Sequence, residues 1–256
     1  MKYAVLKYSG HNVGDDIQSL ALERLLPRVD YRVDRDDMGQ AKEWGDDVRW
    51  IINGWFAPTE HKVWPPPGNA IKLFLGFHAA LPGILPRNEL LPIGCRDPWT
   101  LNLCNQNGID AWLSWCLTLT LQRPDVPRDD SVILADMPKE YLDKLPANIA
   151  RGTKISHHIP KESDRLAEVV KRLDLYARAR WVVTTRLHVF LPCVAFNTPV
   201  VYIRPPASEN RFFGYLHLRW KFTDAPWDDP RPKADPELVR HLAQPLRDAV
   251  RRFIES

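Results

Sequence analysis

A chain of 256 residues, 45% hydrophobic and 26% charged, has room for one large domain or two modest ones and the makeup of a folded globular protein. Its net charge of +3, with acidic and basic residues interspersed, excludes a dedicated nucleic-acid binder. Cys95, Cys104, Cys116 and Cys193 lie far apart with no CxxC pair, which excludes a disulfide framework and a structural zinc site and fits a reducing cytoplasm.

The N-terminal MKYAVLKYSG lacks signal-peptide anatomy, and no apolar run approaches the roughly 20 residues of a membrane helix. Tyr3 to Leu6 is predicted as a first strand. The loop Ser9 to Gly14 then leads to a helix that Asp15 or Asp16 can cap, running to about Leu26, with Ile17, Leu20, Ala21 and Leu25 at helical spacing. A glycine-bearing strand-to-helix turn exposes backbone N–H groups at a positive helix end, which suits an anion. Two aspartates there oppose an anion, so a sugar hydroxyl is the other candidate ligand, and an ordinary capped turn is the plain alternative.

Val48 to Ile52 is predicted as a buried strand ending in Asn53-Gly54, and Ile71 to Leu75 as another, ending in Gly76-Phe77-His78. Ile93 to Cys95 is a short strand. Asp97 can cap the helix that Pro98 opens, which sets Arg96 beside a helix N-terminus, or simply against Asp97. Asp110 to Leu121 alternates and is predicted as a strand. Residues 122–130, rich in proline and charge, are the best linker.

The strand pattern restarts at Ser131 to Asp136, followed by a short helix from Lys139 to Leu145. Lys154 to His158 is predicted as a strand running into two histidines. Ser163 can cap a helix to about Arg178, with Leu166, Val169, Val170, Leu173, Tyr176 and Ala177 on one face. Trp181 to Thr185 is a β-branched strand that delivers Arg186 and His188 into a short helix, and Val200 to Ile203 is a last strand. Asp235-Pro236 opens a closing helix. The basic stretches Arg172–Arg180 and Arg247–Arg252 are solvated helix faces or a contact for a membrane surface.

Strands alternating with helices on both sides of a linker predict an α/β fold of two Rossmann-like units facing a cleft, residues 1–124 and 125–256, with the closing helix packing back near their junction. Ligands of open parallel sheets bind beyond the carboxyl ends of the strands.

Several stretches together resemble the polysaccharide pyruvyl transferase family: the turn Asn12–Asp16, IGCRDPWT at Ile93–Thr100, NQNGIDAWLSWCLTLTL at Asn105–Leu121, ISHHIP at Ile155–Pro160 and VTTRLHVFLPCVAFNTPVVYI at Val183–Ile203. The similarity runs in order from about residue 3 to about residue 222, and the Arg-Leu-His element is its most specific part. The resemblance implies a GT-B-like fold and transfer of a pyruvyl group from phosphoenolpyruvate to a saccharide, forming a ketal in surface polysaccharide biosynthesis. It implies donor-site roles for Arg186, His188 and Arg96. The chain is short for the family, and Arg211 is the candidate for the basic residue often found after the last strand.

Two or three arginines make a natural clamp for the carboxylate and phosphate of phosphoenolpyruvate. A histidine that titrates near neutrality serves as acid or base. The candidate catalytic residues are therefore His188, His157 and Asp15. Arg96, Arg186, Asn12, Gly14, Asp16, Asn53, Asp97 and Arg211 are the candidates for binding. No metal and no cofactor are expected, phosphoenolpyruvate being the donor substrate. The acceptor is a saccharide, free or lipid-linked, and the expected setting is the cytoplasm or the inner face of its membrane. A GT-B-like glycosyltransferase using a nucleotide sugar and a non-catalytic sugar- or anion-binding module are the alternatives.

Overall fold

In a computed structural model, residues 1–57, 61–87, 89–203 and 210–256 are described, without the side chains of Asn210, Arg211 and Phe213. The binding role expected of Arg211 rests on a side chain outside those described. The first half runs β1 (Lys2–Lys7), α1 (Gly14–Glu23), β2 (Tyr31–Asp34), β3 (Val48–Phe56), β4 (Ile71–Ala79), β5 (Ile93–Cys95), α2 (Pro98–Gln106) and β6 (Ala111–Leu113). Its strands form one parallel sheet in the order β2-β1-β3-β4-β5-β6. The second half runs β7 (Val132–Ala135), α3 (Lys139–Leu142), α4 (Ala147–Ala150), β8 (Thr153–Ile155), α5 (Arg165–Arg178), β9 (Trp181–Thr184), α6 (Leu187–Ala195) and β10 (Val200–Tyr202). These strands make a second parallel sheet, β10-β9-β7-β8. A 3-10 helix at Asn210–Leu218 and helix α7 (Pro236–Glu255) complete the chain. The fold is thus α/β with two Rossmann-like parallel sheets.

Each sheet reverses its strand order once. In the first, β2 lies on one side of β1 and β3 on the other; in the second, β8 and β9 flank β7. Such reversals open a crevice at the strand ends. The α1 turn and the end of β3 flank the first crevice, and the ends of β7 and β9 flank the second.

Several local expectations need correction. Strand β3 continues through Asn53 and Gly54, which sit at a register shift within it, and Gly54 has φ +111°. Strand β4 likewise runs past Gly76 to Ala79. Of Asp110 to Leu121 only Ala111–Leu113 is a strand; Trp115 takes φ +67°, the chain turns, and Leu117–Thr120 is a 3-10 helix. Neither Asp15 nor Asp16 caps α1: its N-cap is Val13, and both aspartates sit in the first helical turn. Asp164 rather than Ser163 caps α5, accepting from Ala167 N at 3.1 Å. On α5, Leu166 and Val170 face solvent, while Arg172 turns inward and donates to Ser156 O at 2.7 Å. The linker has no helix or strand, but it is pinned. Arg123 donates to Ala177 O, and Arg128 to Phe196 O and Asn197 O, at the carboxyl ends of α5 and α6.

The two sheets share a hydrophobic core. One continuous buried cluster takes in Val5, Ile51 and Leu75 of the first sheet, Ile133 and Val182 of the second, and Leu246, Val250 and Phe253 of α7. Helix α7 packs back on the first unit, with Phe253 under the Arg49 guanidinium of β3 at 5.3 Å and Arg247 donating to Thr120 O at 2.6 Å.

Candidate active site

The turn after β1 is laid against the second unit. Val13 N donates to His157 O at 3.0 Å, Ile159 N donates to His11 O at 2.9 Å, and Asn12 bridges His158. The Asn12 side chain folds back to accept from Gly14 N at 3.0 Å. Gly14 then allows the close approach that matters here. A Cβ on it would lie 3.2 Å from both Cβ and Nδ1 of His188. The imidazole, on the second residue of α6, therefore rests on the first residue of α1, and the amino ends of the two helices meet.

Asp15 stands at this junction. Its carboxylate lies 3.8 Å from His188 Nδ1, accepts from Gln18 Nε2 at 3.1 Å, and is 3.4 Å from Arg35 Nη1. The positive end of α1 favours a carboxylate in its first turn. Arg35 also donates to Trp55 O and pairs with Asp36. Burial raises the Asp36 carboxyl, but bonds from His61 and Arg35 outweigh it and bring the group to about 2.

Arg96 is completely buried. Its Nη1 donates to Gln18 Oε1 at 3.3 Å, while Nε and Nη2 have no hydrogen-bond partner among the described residues. The nearest carboxylate, Asp97, is 3.9 Å from Nε, an ion-pair distance too long for a hydrogen bond. Asp97 is occupied elsewhere. It caps α2 by accepting from Thr100 N at 2.9 Å and Thr100 Oγ1 at 3.0 Å, and its other oxygen is 2.6 Å from His78 Nδ1. Burial pushes this carboxyl up, but the His78 bond and the neighbouring cations hold it below the ordinary aspartate range. Both oxygens of Asp97, expected to bind substrate, are thus engaged by Thr100 and His78. Tyr215 closes over the same spot, donating its hydroxyl to Arg96 O at 2.6 Å.

Asn53 is also fully buried, and both polar atoms of its side chain lack a partner among the described residues. Alternation along the strands sends Asn53 and Arg96 to the α1 face of the sheet, because Trp50, Ile52, Ile93 and Cys95 pack on the opposite face. Only β4 separates β3 from β5, so the two strand ends stand roughly 10 Å apart.

Across the crevice, Arg186 precedes α6, and its Nε donates to Asp136 Oδ2 at 2.9 Å. Asp136 ends β7 with φ +50° and also accepts from Ser156 Oγ at 2.7 Å and His157 N at 3.0 Å. Arg186 keeps about a third of its side chain exposed. His157 does not join the site. Its ring is buried, Nε2 is 2.6 Å from the Tyr176 hydroxyl of α5, and burial lowers its pKa to about 3. It is a neutral core histidine. Asp16 is likewise engaged away from the site, accepting from Arg165 Nε at 3.1 Å in a pair that ties α1 to α5.

The structure thus joins Arg96, Asp15, Gly14 and His188 into one connected group, with Asn53 on the same face. Sequence reasoning missed Gln18, Arg35, Asp136 and Tyr215. Gln18 could have been found as a polar residue at i+3 from Asp15 on the inward face of α1, and Asp136 by the strand-end logic that selected Arg186. Arg35 and Tyr215 carry no such signal. Among the described residues no cluster of His, Cys, Asp and Glu is arranged to hold a metal, and no helix is long and apolar enough to cross a membrane.

Residues 84–205, just under half of the chain, match the family model for polysaccharide pyruvyl transferase, a stretch that includes Arg96, Arg186 and His188. No curated protein matches the chain in sequence. Among solved structures, a functionally uncharacterized protein from Klebsiella pneumoniae superposes with a TM-score of 0.52 at 12% identity, covering 88% of this chain and 90% of that one. That likeness concerns the fold alone. ADP-heptose LPS heptosyltransferase II of E. coli matches with a TM-score of 0.34 at 12% identity, over 97% of this chain and 99% of its own.

Proposed function

From a chain whose residues 84–205 match the polysaccharide pyruvyl transferase family model, we propose that it transfers a pyruvyl group from phosphoenolpyruvate to a saccharide acceptor. The observation that carries this reading is the buried Arg96 guanidinium. Its Nε and Nη2 lack partners among the described residues, and Gln18 and Asp15 connect it to His188. A buried cation so weakly compensated is costly to keep, and an anionic ligand supplies what is missing.

In this reading a carboxylate or phosphate of the donor forks onto the Nε/Nη2 edge of Arg96. The Asn53 amide and the part-exposed Arg186 meet its remaining oxygens. Ketal formation requires a proton on the donor's methylene carbon, attack of one sugar hydroxyl at the neighbouring carbon, and displacement of phosphate by a second hydroxyl. His188 moves those protons, and Asp15, beside its Nδ1, orients the ring and stabilises its charged form. Asn12 and Gly14 shape the turn on which His188 rests. The acceptor approaches from the crevice between the two sheets.

Thermal unfolding with phosphoenolpyruvate, UDP, CMP or GDP tests the reading. A ligand that binds the native state adds RT ln(1 + [L]/Kd) to stability, about 2.7 kcal/mol at one hundred times Kd. The expected result is a rise in Tm with phosphoenolpyruvate and none with the nucleotides. A rise with a nucleotide alone would replace the proposal with a nucleotide-sugar glycosyltransferase.

A further inference from the structure

Gln18 lies on the inward face of α1, completely buried, one turn after Asp15. Its Nε2 donates to Asp15 Oδ1 at 3.1 Å, and its Oε1 accepts from Arg96 Nη1 at 3.3 Å and from Cys116 Sγ at 3.7 Å. These partners admit one orientation of the amide. Turned over, it would set an NH2 against a guanidinium and a carbonyl against a carboxylate.

We propose that Gln18 is a positioning residue for the anionic donor, holding Arg96 by one nitrogen so that its Nε/Nη2 edge stays open. The inference rests on the reading that Arg96 binds that donor. The choice of residue type is the physical point. A glutamate here would hold the guanidinium equally well but would neutralise it, and the arginine would then be an internal salt bridge with little left for a ligand. An aliphatic residue would leave the charge intact but release the head from its fixed plane, and a bidentate fork loses its advantage when its plane is not set. A neutral acceptor does both jobs. It fixes the plane and leaves the charge, and Asp15 keeps it turned the right way. The same amide connects the anion-holding residue of the first unit to the carboxylate beside His188 of the second, so the donor clamp and the proton-transferring ring are placed by one buried contact.

The test is a set of dissociation constants for phosphoenolpyruvate and for inorganic phosphate, read from intrinsic tryptophan fluorescence. The proteins are the wild type and the variants Gln18→Glu, Gln18→Met and Arg96→Met, each with its unliganded Tm. The expected result is that Arg96→Met abolishes binding, Gln18→Glu weakens it at least tenfold and Gln18→Met several-fold. Tm orders the Gln18 variants differently from affinity, because a merely structural glutamine would lose stability and leave the affinity of the folded fraction unchanged. If Arg96→Met abolishes binding while both Gln18 variants bind like the wild type, the inference is overturned and the donor reading stands. If the wild type binds phosphate but not phosphoenolpyruvate, the donor reading falls, and weakened phosphate binding in both Gln18 variants still supports the positioning role. If the wild type binds neither ligand, both are overturned.

Discussion

His157 and His188 show how two histidines in similar sequence settings diverge. Both follow a short strand, the largely exposed β8 for His157 and the buried β9 for His188. His188 lands on Gly14 beside Asp15, while His157 turns onto Tyr176 of α5. Burial lowers the His157 pKa to about 3, against an ordinary value of 6.5. The sign of its pH effect follows. Below pH 6.5 the unfolded chain takes up a proton on this ring and the folded chain does not, so falling pH favours unfolding until the pH reaches about 3. Each unit of pH within that window costs about 1.4 kcal/mol. The expected result is a stability that declines from pH 6.5 toward pH 4 by urea unfolding, with a shallower slope in His157→Gln. Equal slopes would place the ring in a solvated setting. The sequence could name both histidines as candidates but not choose between them, because the choice depends on which residues of other elements each ring meets, Tyr176 of α5 or Gly14 and Asp15 of α1.

At the scale of elements, most strands and helices were legible. Long apolar runs and proline at a first helical turn have local causes, and α2, with Asp97 as cap and Pro98 after it, forms as predicted. What was illegible has tertiary causes. Strand β2 is a short, polar edge strand, so no hydrophobic run announces it. The alternating stretch from Asp110 breaks at Trp115, whose left-handed backbone lets Leu117 and Leu119 turn into the core under α7. The sequence offers Asp97 both as the cap of α2 and as a binding residue beside Arg96. Its role becomes clear only when His78 arrives from the neighbouring strand. Replacing Asp97 by alanine removes the cap of α2 and leaves His78 without its buried carboxylate, an expected loss of about 2–4 kcal/mol. Urea unfolding of Asp97→Ala and Asp97→Asn measures it. Asparagine should recover the cap portion only, and a variant as stable as the wild type would show that α2 is held by packing alone.

At the scale of the whole molecule, each unit contributes what the other lacks. The first unit places Arg96, Asn53 and Asp15, and the second places His188 and Arg186 with Asp136. The crevices belong to the topology, two parallel sheets that each reverse strand order once. The shared core and the returning α7 hold one unit against the other. The sequence gives both lobes but not this shared interior, since periodicity reports which face of an element is apolar and not what covers it. The most direct measurement is the position of phosphoenolpyruvate in a crystal of this protein soaked with it. The account predicts carboxylate or phosphate oxygens within hydrogen-bond distance of Arg96 Nε and Nη2, with the methylene carbon facing His188. A ligand lying elsewhere, with that edge of Arg96 closed onto Asp97, would contradict it.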